Sequence, residues 1–376
     1  MVKKTKRNKK PQNKTEKENN QNIPISLPFN KISTIKSIHD KTLTFLLLSK
    51  TNKYIIACSA SYLSLLDKNN FNVLSKYKIY DPILFLIELN NNRIILSNAK
   101  MIFVFEVENN KLNLLFHYEE TNFEKMGIIG LSQINDDNIL MISPRELKYY
   151  KQDKINILEL YETFNIGNLI ELQYEDYGTQ FKSAFLLNNN NDFIALLTRQ
   201  EMFIIKQVYK TLVKKINLEN TSFLFKYLNL EKEVTLIYHK KKLILFNNKH
   251  LEIINQSKIS NKEEEITCIE KLKKEKCLIY GTNIGKIYIY NYQTAEIIKK
   301  IKFECGAFNI TWIKEIDNNI IINNLPKSEI GLSNYDTGDL IGKLNLKNSS
   351  NFRKGVFIEE SKKLLLGCAN NFALLE

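Results

Sequence analysis

The chain of 376 residues holds five cysteines, six prolines, twelve glycines, four histidines and one tryptophan, and these scarcities remove whole classes of protein. Cys58, Cys268, Cys277, Cys305 and Cys368 are scattered and form no CxxC pair, which argues against a disulfide framework or a zinc site. Cys58, Cys277 and Cys368 each stand at or beside the end of a buried apolar run, where cysteine acts as a small hydrophobe; reduced thiols in a cytosolic compartment follow. His39, His117, His239 and His250 never take HxH or HExxH spacing, so no metal cluster is written in the chain. His239 follows the apolar run VTLIY and reads as a strand-end residue. No GxGxxG, no Walker-type Gly-Lys-Ser/Thr and no GxSxG elbow occurs, which leaves no cofactor and no nucleophile to name. Asp136-Asp137 and Glu263-Glu264-Glu265 fall between apolar runs and read as solvated turns. The most apolar region, Thr44 to Leu66, is broken by Lys50, Asn52 and Lys53, short of the roughly 20 residues a membrane span needs. No signal-peptide core follows the basic start. The expectation is a non-enzymatic protein without a transmembrane segment, cytoplasmic, with a nuclear or ciliary location also compatible.

Arginine is scarce too. The formal charge of +13 rests on lysine, with Arg7, Arg93, Arg145, Arg199 and Arg353 as the exceptions. Lysine is enriched together with asparagine and isoleucine, so compositional bias accounts for the charge as well as a basic surface does. Residues 1–22 have one apolar side chain after Met1 and eight Lys or Arg against two Glu, and read as a disordered basic tail ahead of a domain over 23–376. Within it Lys3, Lys4, Lys6, Arg7, Lys9 and Lys10 form a compact cluster, a weak candidate for polyanion contact through counterion release.

What the chain does contain is repetition. From Cys277 to Phe303 it reads strand, tight turn, strand, turn, strand, with Lys286 to Tyr290 alternating at period two and Gly281 and Gly285 flanking the first turn. The unit recurs: Asn291 to Phe303, NYQTAEIIKKIKF, is matched about 43 residues later by Asn334 to Leu346, NYDTGDLIGKLNL, with apolar positions in the same register. A period of about 40–45 residues made of four short strands is the signature of a propeller blade. The pattern resembles the WD40-repeat family in a degenerate form. Asn291 and Asn334 stand near where that family has the Asp of its Trp-Asp pair, which is absent here, and Thr294 and Thr337-Gly338 stand at its turn. The resemblance implies an all-β closed propeller of four-stranded antiparallel blades.

Taken in order, the units begin near Leu43, Ile83, Gly127, Phe181, Ser222, Glu265 and Phe308, and Tyr161 to Gln180 reads as an inserted loop. The last segment, from Gly355, supplies only three strands, while a lone strand near Ile32 to Ile38 precedes the first unit. A free edge is an aggregation template, so the two ends are expected to share one blade. That count gives eight blades, or seven if a unit beside Tyr161 to Gln180 is miscounted. Trp312 alternates with Ile310 and reads as core of an inner strand. Phe352-Arg353-Lys354-Gly355 resembles the Phe-Arg-Arg-Gly motif of phosphoinositide-binding propellers, with lysine at the second basic position, which makes Arg353 and Lys354 the remaining weak polyanion candidates. The function expected is a protein-interaction scaffold within a multi-subunit assembly; the alternative is a module for nucleic acid or anionic lipid, working through the tail or Arg353-Lys354.

Overall fold

A short run in which every side chain is apolar has no solvent face, and it can be a strand only if both its sides are covered. Ile55 to Cys58, Ile94 to Leu96 and Leu364 to Leu366 are such runs, and all are buried. The computed structural model describes residues 29, 32–35, 43–60, 62–98, 100–119, 127–135, 138–152, 158–166, 181–187, 192–218, 225–259, 261–274, 276–303, 306–317, 319–346, 354–367 and 372–376. Within them the regular structure is 32 strands. After β1 (Ile32–Ile35), the first blade is β2 (Leu43–Leu48), β3 (Tyr54–Ser59), β4 (Tyr62–Asp67) and β5 (Val73–Lys78); the second is β6 (Phe85–Glu88), β7 (Arg93–Ser97), β8 (Met101–Glu108) and β9 (Lys111–Glu119). The third is β10 (Gly130–Gln133), β11 (Asn138–Ile142), β12 (Glu146–Lys151) and β13 (Glu159–Asn165); the fourth is β14 (Ser183–Leu187), β15 (Phe193–Leu197), β16 (Glu201–Lys206) and β17 (Thr211–Asn217). The fifth is β18 (Lys226–Glu231), β19 (Val234–His239), β20 (Lys242–Asn247) and β21 (Glu252–Lys258); the sixth is β22 (Ile266–Lys271), β23 (Cys277–Thr282), β24 (Lys286–Asn291) and β25 (Glu296–Lys302). The seventh is β26 (Ile313–Asp317), β27 (Ile320–Asn324), β28 (Glu329–Asn334) and β29 (Leu340–Asn345), and β30 (Lys354–Ile358), β31 (Lys363–Gly367) and β32 (Phe372–Leu375) complete the list.

Each blade is a four-stranded antiparallel sheet, and the eighth has the order β1-β32-β31-β30. β1 is its outer strand, paired with β32 from Ile32 opposite Leu375 to Ile35 opposite Phe372. The eight-blade count and the closure by the two ends of the chain are therefore both realised. Packing closes the ring independently of the hydrogen bonds. The apolar core divides into eight clusters, each shared by two neighbouring blades; one joins Val356, Leu365 and Leu374 of the eighth blade to Leu43, Ile55 and Leu66 of the first. The two middle strands of a blade, such as β3, β4 and β23, are consequently buried on both faces, inner strands such as β18 and β22 are only partly covered, and outer strands such as β5, β17 and β21 alternate toward solvent. No helix among the described residues is long and apolar enough to cross a membrane.

Two expectations need correction. Tyr161 to Asn165 belong to β13, the outer strand of the third blade, and not to an inserted loop; Ile166 follows it, buried, and residues 167–180 lie outside the described residues. The third and fourth strands of this blade slip register between Tyr149 and Tyr150, as do their counterparts in the six other blades formed from consecutive strands, and the extra residue breaks the two-residue alternation by which the strand would be read. Cys277 opens β23 instead of ending a strand, whereas Cys58 does lie near the end of β3; both are buried, and Cys368 lies outside the described residues.

The matched turns of the sixth and seventh blades share a backbone but differ in residue. Ala295 has φ 60° where Gly338 has φ 85°, and a left-handed residue with a Cβ costs about 1–2 kcal/mol. Ala295→Gly is expected to raise stability by about 0.5–1 kcal/mol, the gain being trimmed by glycine's freer unfolded chain, and Gly338→Ala to lower it by about 1 kcal/mol. Urea unfolding of both variants measures the pair; equal and unchanged midpoints would contradict it.

Candidate interaction surfaces

The ring offers two loop-bearing faces, and short side-chain caps stiffen the turns on both. On the face carrying the second-to-third strand turns, the residue at or just after the end of the second strand accepts N–H groups from the turn. Asn98 Oδ1 takes Lys100 and Met101 at 2.8 and 2.6 Å, Ser143 Oγ takes Glu146 at 2.9 Å, Thr198 Oγ1 takes Glu201 at 2.9 Å and Thr282 Oγ1 takes Lys286 at 3.2 Å. His239 serves in the fifth blade: it ends β19 as expected, its Nδ1 accepts the Lys241 N–H at 3.1 Å, and its ring packs edge-on against Phe225. On the opposite face, the last residue of the third strand caps the turn to the fourth. Asn291 accepts from Gln293 and Thr294 at 2.8 and 3.2 Å, and Asn334 accepts from Asp336 and Thr337 at 2.9 and 3.1 Å. Asp67 does the same in the first blade through Asn69 at 2.7 Å, so the position that the resemblance assigns to Asp holds a turn-capping acceptor, carboxylate or amide.

A second device lay beyond sequence reasoning. Glu88 and Glu315 sit on inner strands, buried, and each accepts the N–H of a turn in the preceding blade, Lys50 and Lys273, both at 2.7 Å. Tyr335 donates its hydroxyl to the other oxygen of Glu315 at 2.8 Å. The two carboxylates lie 227 residues apart in equivalent places and lock one blade's turn to the next.

Of the candidate polyanion contacts, Lys3, Lys4, Lys6, Arg7, Lys9, Lys10 and Arg353 lie outside the described residues. Lys354 is not a loop residue: it opens β30, the strand nearest the axis of the eighth blade. Its ammonium is held below the ordinary lysine value, first by the surrounding protein and then by the charge of Lys226, which opens the equivalent strand β18 of the fifth blade. Charges on blades three steps apart can meet only across the central channel. Lys354 is exposed, but it is exposed to that enclosed channel, which reconciles its open surface with its desolvation. No carboxylate of the described residues pairs with either lysine. Gly355, the last residue of the same motif, has a packing role, because a Cβ there would run into the indole of Trp312. Trp312 is buried core, immediately ahead of β26.

Glu264 departs from the solvated turn expected of it. It is 2% exposed and paired through Oε2 with Lys286 Nζ at 2.9 Å. Among the described residues no group of three or more His, Cys, Asp or Glu could hold a metal ion, and burial pushes the thiols of Cys58 and Cys268 up to about 12, which leaves them protonated and unreactive at neutral pH. Among the described residues the most exposed large apolar side chains sit on the loop faces: Tyr80 is 80% exposed on the connection between the first two blades, and Val208 and Tyr209 are 70% and 67% exposed on a turn of the fourth blade, on the opposite face.

No protein-family model matches the chain, and no curated protein matches it either. Solved structures do. The crystal structure of Saccharomyces cerevisiae Sqt1 superposes with a TM-score of 0.71 over 93% of this chain and 99% of its own, at 10% identity. The Dos1 propeller gives 0.68 over 92% and 95% at 11% identity, and Sqt1 of Chaetomium thermophilum gives 0.66 over 90% and 96% at 8% identity. At such identities the likeness is one of fold, and it agrees with the WD40-like propeller read from the repeats.

Proposed function

We propose that this propeller is a non-catalytic scaffold or adaptor whose loop faces hold other proteins in a larger assembly. The observation that carries the reading is the pairing of a closed, internally braced ring with bulky apolar side chains left in solvent on its turns, Tyr80 on one face and Val208-Tyr209 on the other. Large exposed aromatics on a rigid support are the usual anchors of protein interfaces. The unpaired thiols of Cys58, Cys268 and Cys277 fit a reducing compartment, and we place the protein in the cytoplasm, with nucleus or cilium also compatible.

The test is affinity purification of the full chain, of a form lacking residues 1–22, and of Tyr80→Ser and Val208→Ser/Tyr209→Ser variants, each with nuclease and at low and moderate salt. A scaffold keeps the same co-purifying proteins through nuclease, salt and loss of the tail, and loses a subset when the face that binds them is altered. One observation favours a second reading: Lys226 and Lys354 face the channel with no acidic partner among the described residues. If recovery collapses with salt or nuclease, a nucleic acid or anionic lipid is the partner and the scaffold reading fails.

A further inference from the structure

The mouth of the central channel collects positive charge on the face that carries the second-to-third strand turns. Lys100, Arg145, Arg199, Lys240 and Lys327 stand exposed on five of those turns, and none of the turns holds a carboxylate. Inside that crown a cavity of about 530 Å³ is lined by Lys226 at the start of β18, Ile266 and Thr267 at the start of β22, and Asn309 and Thr311 ahead of β26. Three successive inner strands thus open onto it, and Lys354 opens the next. Several of its polar groups are already served. Lys240 pairs with Glu265 at 2.9 Å, Asn283 accepts the Glu265 N–H at 2.7 Å and donates to the Glu263 carbonyl at 2.9 Å, and the Thr267 hydroxyl donates to the carbonyls of Gly281 and Ile310. Lys226 and Lys354 differ. Both side chains are exposed, neither meets a carboxylate among the described residues, and Lys354 is coupled electrostatically to Lys226 and to the thiol of Cys268, next to Thr267 in β22. Two like charges held at one opening are costly while nothing lies between them.

We propose that this mouth receives an acidic segment of a partner protein, with one Asp or Glu carboxylate seated between Lys226 and Lys354, which deepens the scaffold reading and rests on it. A carboxylate there relieves the repulsion of the two lysines, and further acidic residues of an extended chain reach the basic turns around it. The cavity falls within the ordinary range of ligand pockets, ~300–1,000 Å³. A nucleic acid fits less well, because the two rings that line the cavity are engaged: His239 lies edge-on against Phe225, and Tyr238 packs into the core between the fifth and sixth blades, so neither offers a free face to a base. A basic segment would add to the repulsion, and an apolar one would desolvate two unpaired charges.

The probes are a blocked eight-residue peptide alternating glutamate and glycine, its glutamine counterpart, and a thymidine pentanucleotide with the same four charges, each bearing one neutral dye. They are titrated into the full-length protein at one fixed, low ionic strength and followed by fluorescence anisotropy. The basic tail is common to every form, so its contribution cancels in the comparison. Saturable binding of the glutamate peptide is expected, weaker by about tenfold or more for the glutamine peptide and for Lys226→Gln/Lys354→Gln. Lys214→Gln/Lys343→Gln takes the same charge from the outer strands β17 and β29 and is expected to leave affinity within about twofold. The melting temperature of Lys226→Gln/Lys354→Gln is expected to equal or exceed that of the parent, because a repulsion is removed, which separates lost binding from lost folding. Each single variant serves should the double one fail to fold. Equal losses from the two double variants, no loss from the mouth variant, or pentanucleotide binding that falls as far as the peptide's overturns the site. Co-purification of the same proteins by a ring that ignores the peptide overturns only this site. A ring that binds the peptide through the two lysines but retains no protein overturns the scaffold reading.

Discussion

Gly355→Ala is expected to lower the stability of the ring by about 2–3 kcal/mol, a large effect for one methyl group. A Cβ at this position would overlap Cζ2 of Trp312 and stand 2.7 Å from its Cε2 and 2.9 Å from Leu366 Cδ2. None of these atoms belongs to a flexible chain end. The indole is held in the cluster that joins the seventh and eighth blades with Ile316, Leu332, Leu364 and Leu375, and its backbone N–H is fixed on Asn324 Oδ1 at 3.2 Å. Either the ring moves or the two blades part. Trp312→Leu alone leaves a cavity and costs about 3 kcal/mol, yet it frees the space that the added methyl group would need, so the double variant is expected to be less destabilised than the sum of the two by about 1 kcal/mol or more. Denaturant unfolding of the four proteins measures the coupling. Strict additivity would show that the glycine is not there for the tryptophan.

Removing residues 1–38 is expected to abolish cooperative folding, while removing 1–22 changes the midpoint little. The longer deletion takes away β1 and uncovers the edge of β32 over its whole paired length. That edge is apolar, with Phe372, Ala373, Leu374 and Leu375 all buried, and it adjoins the interface with the first blade. An uncovered strand of this kind pairs with whatever edge it meets. Gel filtration and thermal melting of the two truncated forms make the check: a well-behaved monomer without β1 would mean that the core clusters alone close the ring.

The sequence displayed its blades because their signal is local and repeated. VTLIYH, KLILFN and KIYIYN carry their own burial patterns, and the NYQTAEIIKKIKF and NYDTGDLIGKLNL pair fixes the period and the turn. Closure followed from a missing strand at one end and a surplus strand at the other. What stayed hidden is non-local or breaks the period. β13 hides behind the register slip at Tyr149/Tyr150 and exposes Leu160 and Tyr161, so no clean alternation marks it. Glu264 looks like one of three solvated glutamates until Lys286, beyond the inner strand and the next hairpin, is brought to its side. Lys354 and Lys226 are neighbours only because a ring returns to itself.

The pairing of β1 with β32 also sets a timetable. Whatever precedes the one or follows the other, the strand that completes the eighth blade is translated before any other strand of the ring, and the strand it must find is translated last. Seven blades can zip up from contiguous hairpins as they leave the ribosome, but the seam stays open until β32 has emerged, and β1 is without its partner while every other strand is made. A nascent chain of this kind needs protection for the whole of its elongation. Once sealed, the same seam brings both ends of the domain to one place on the rim, so the circle could be cut and rejoined at any other blade boundary with its architecture retained.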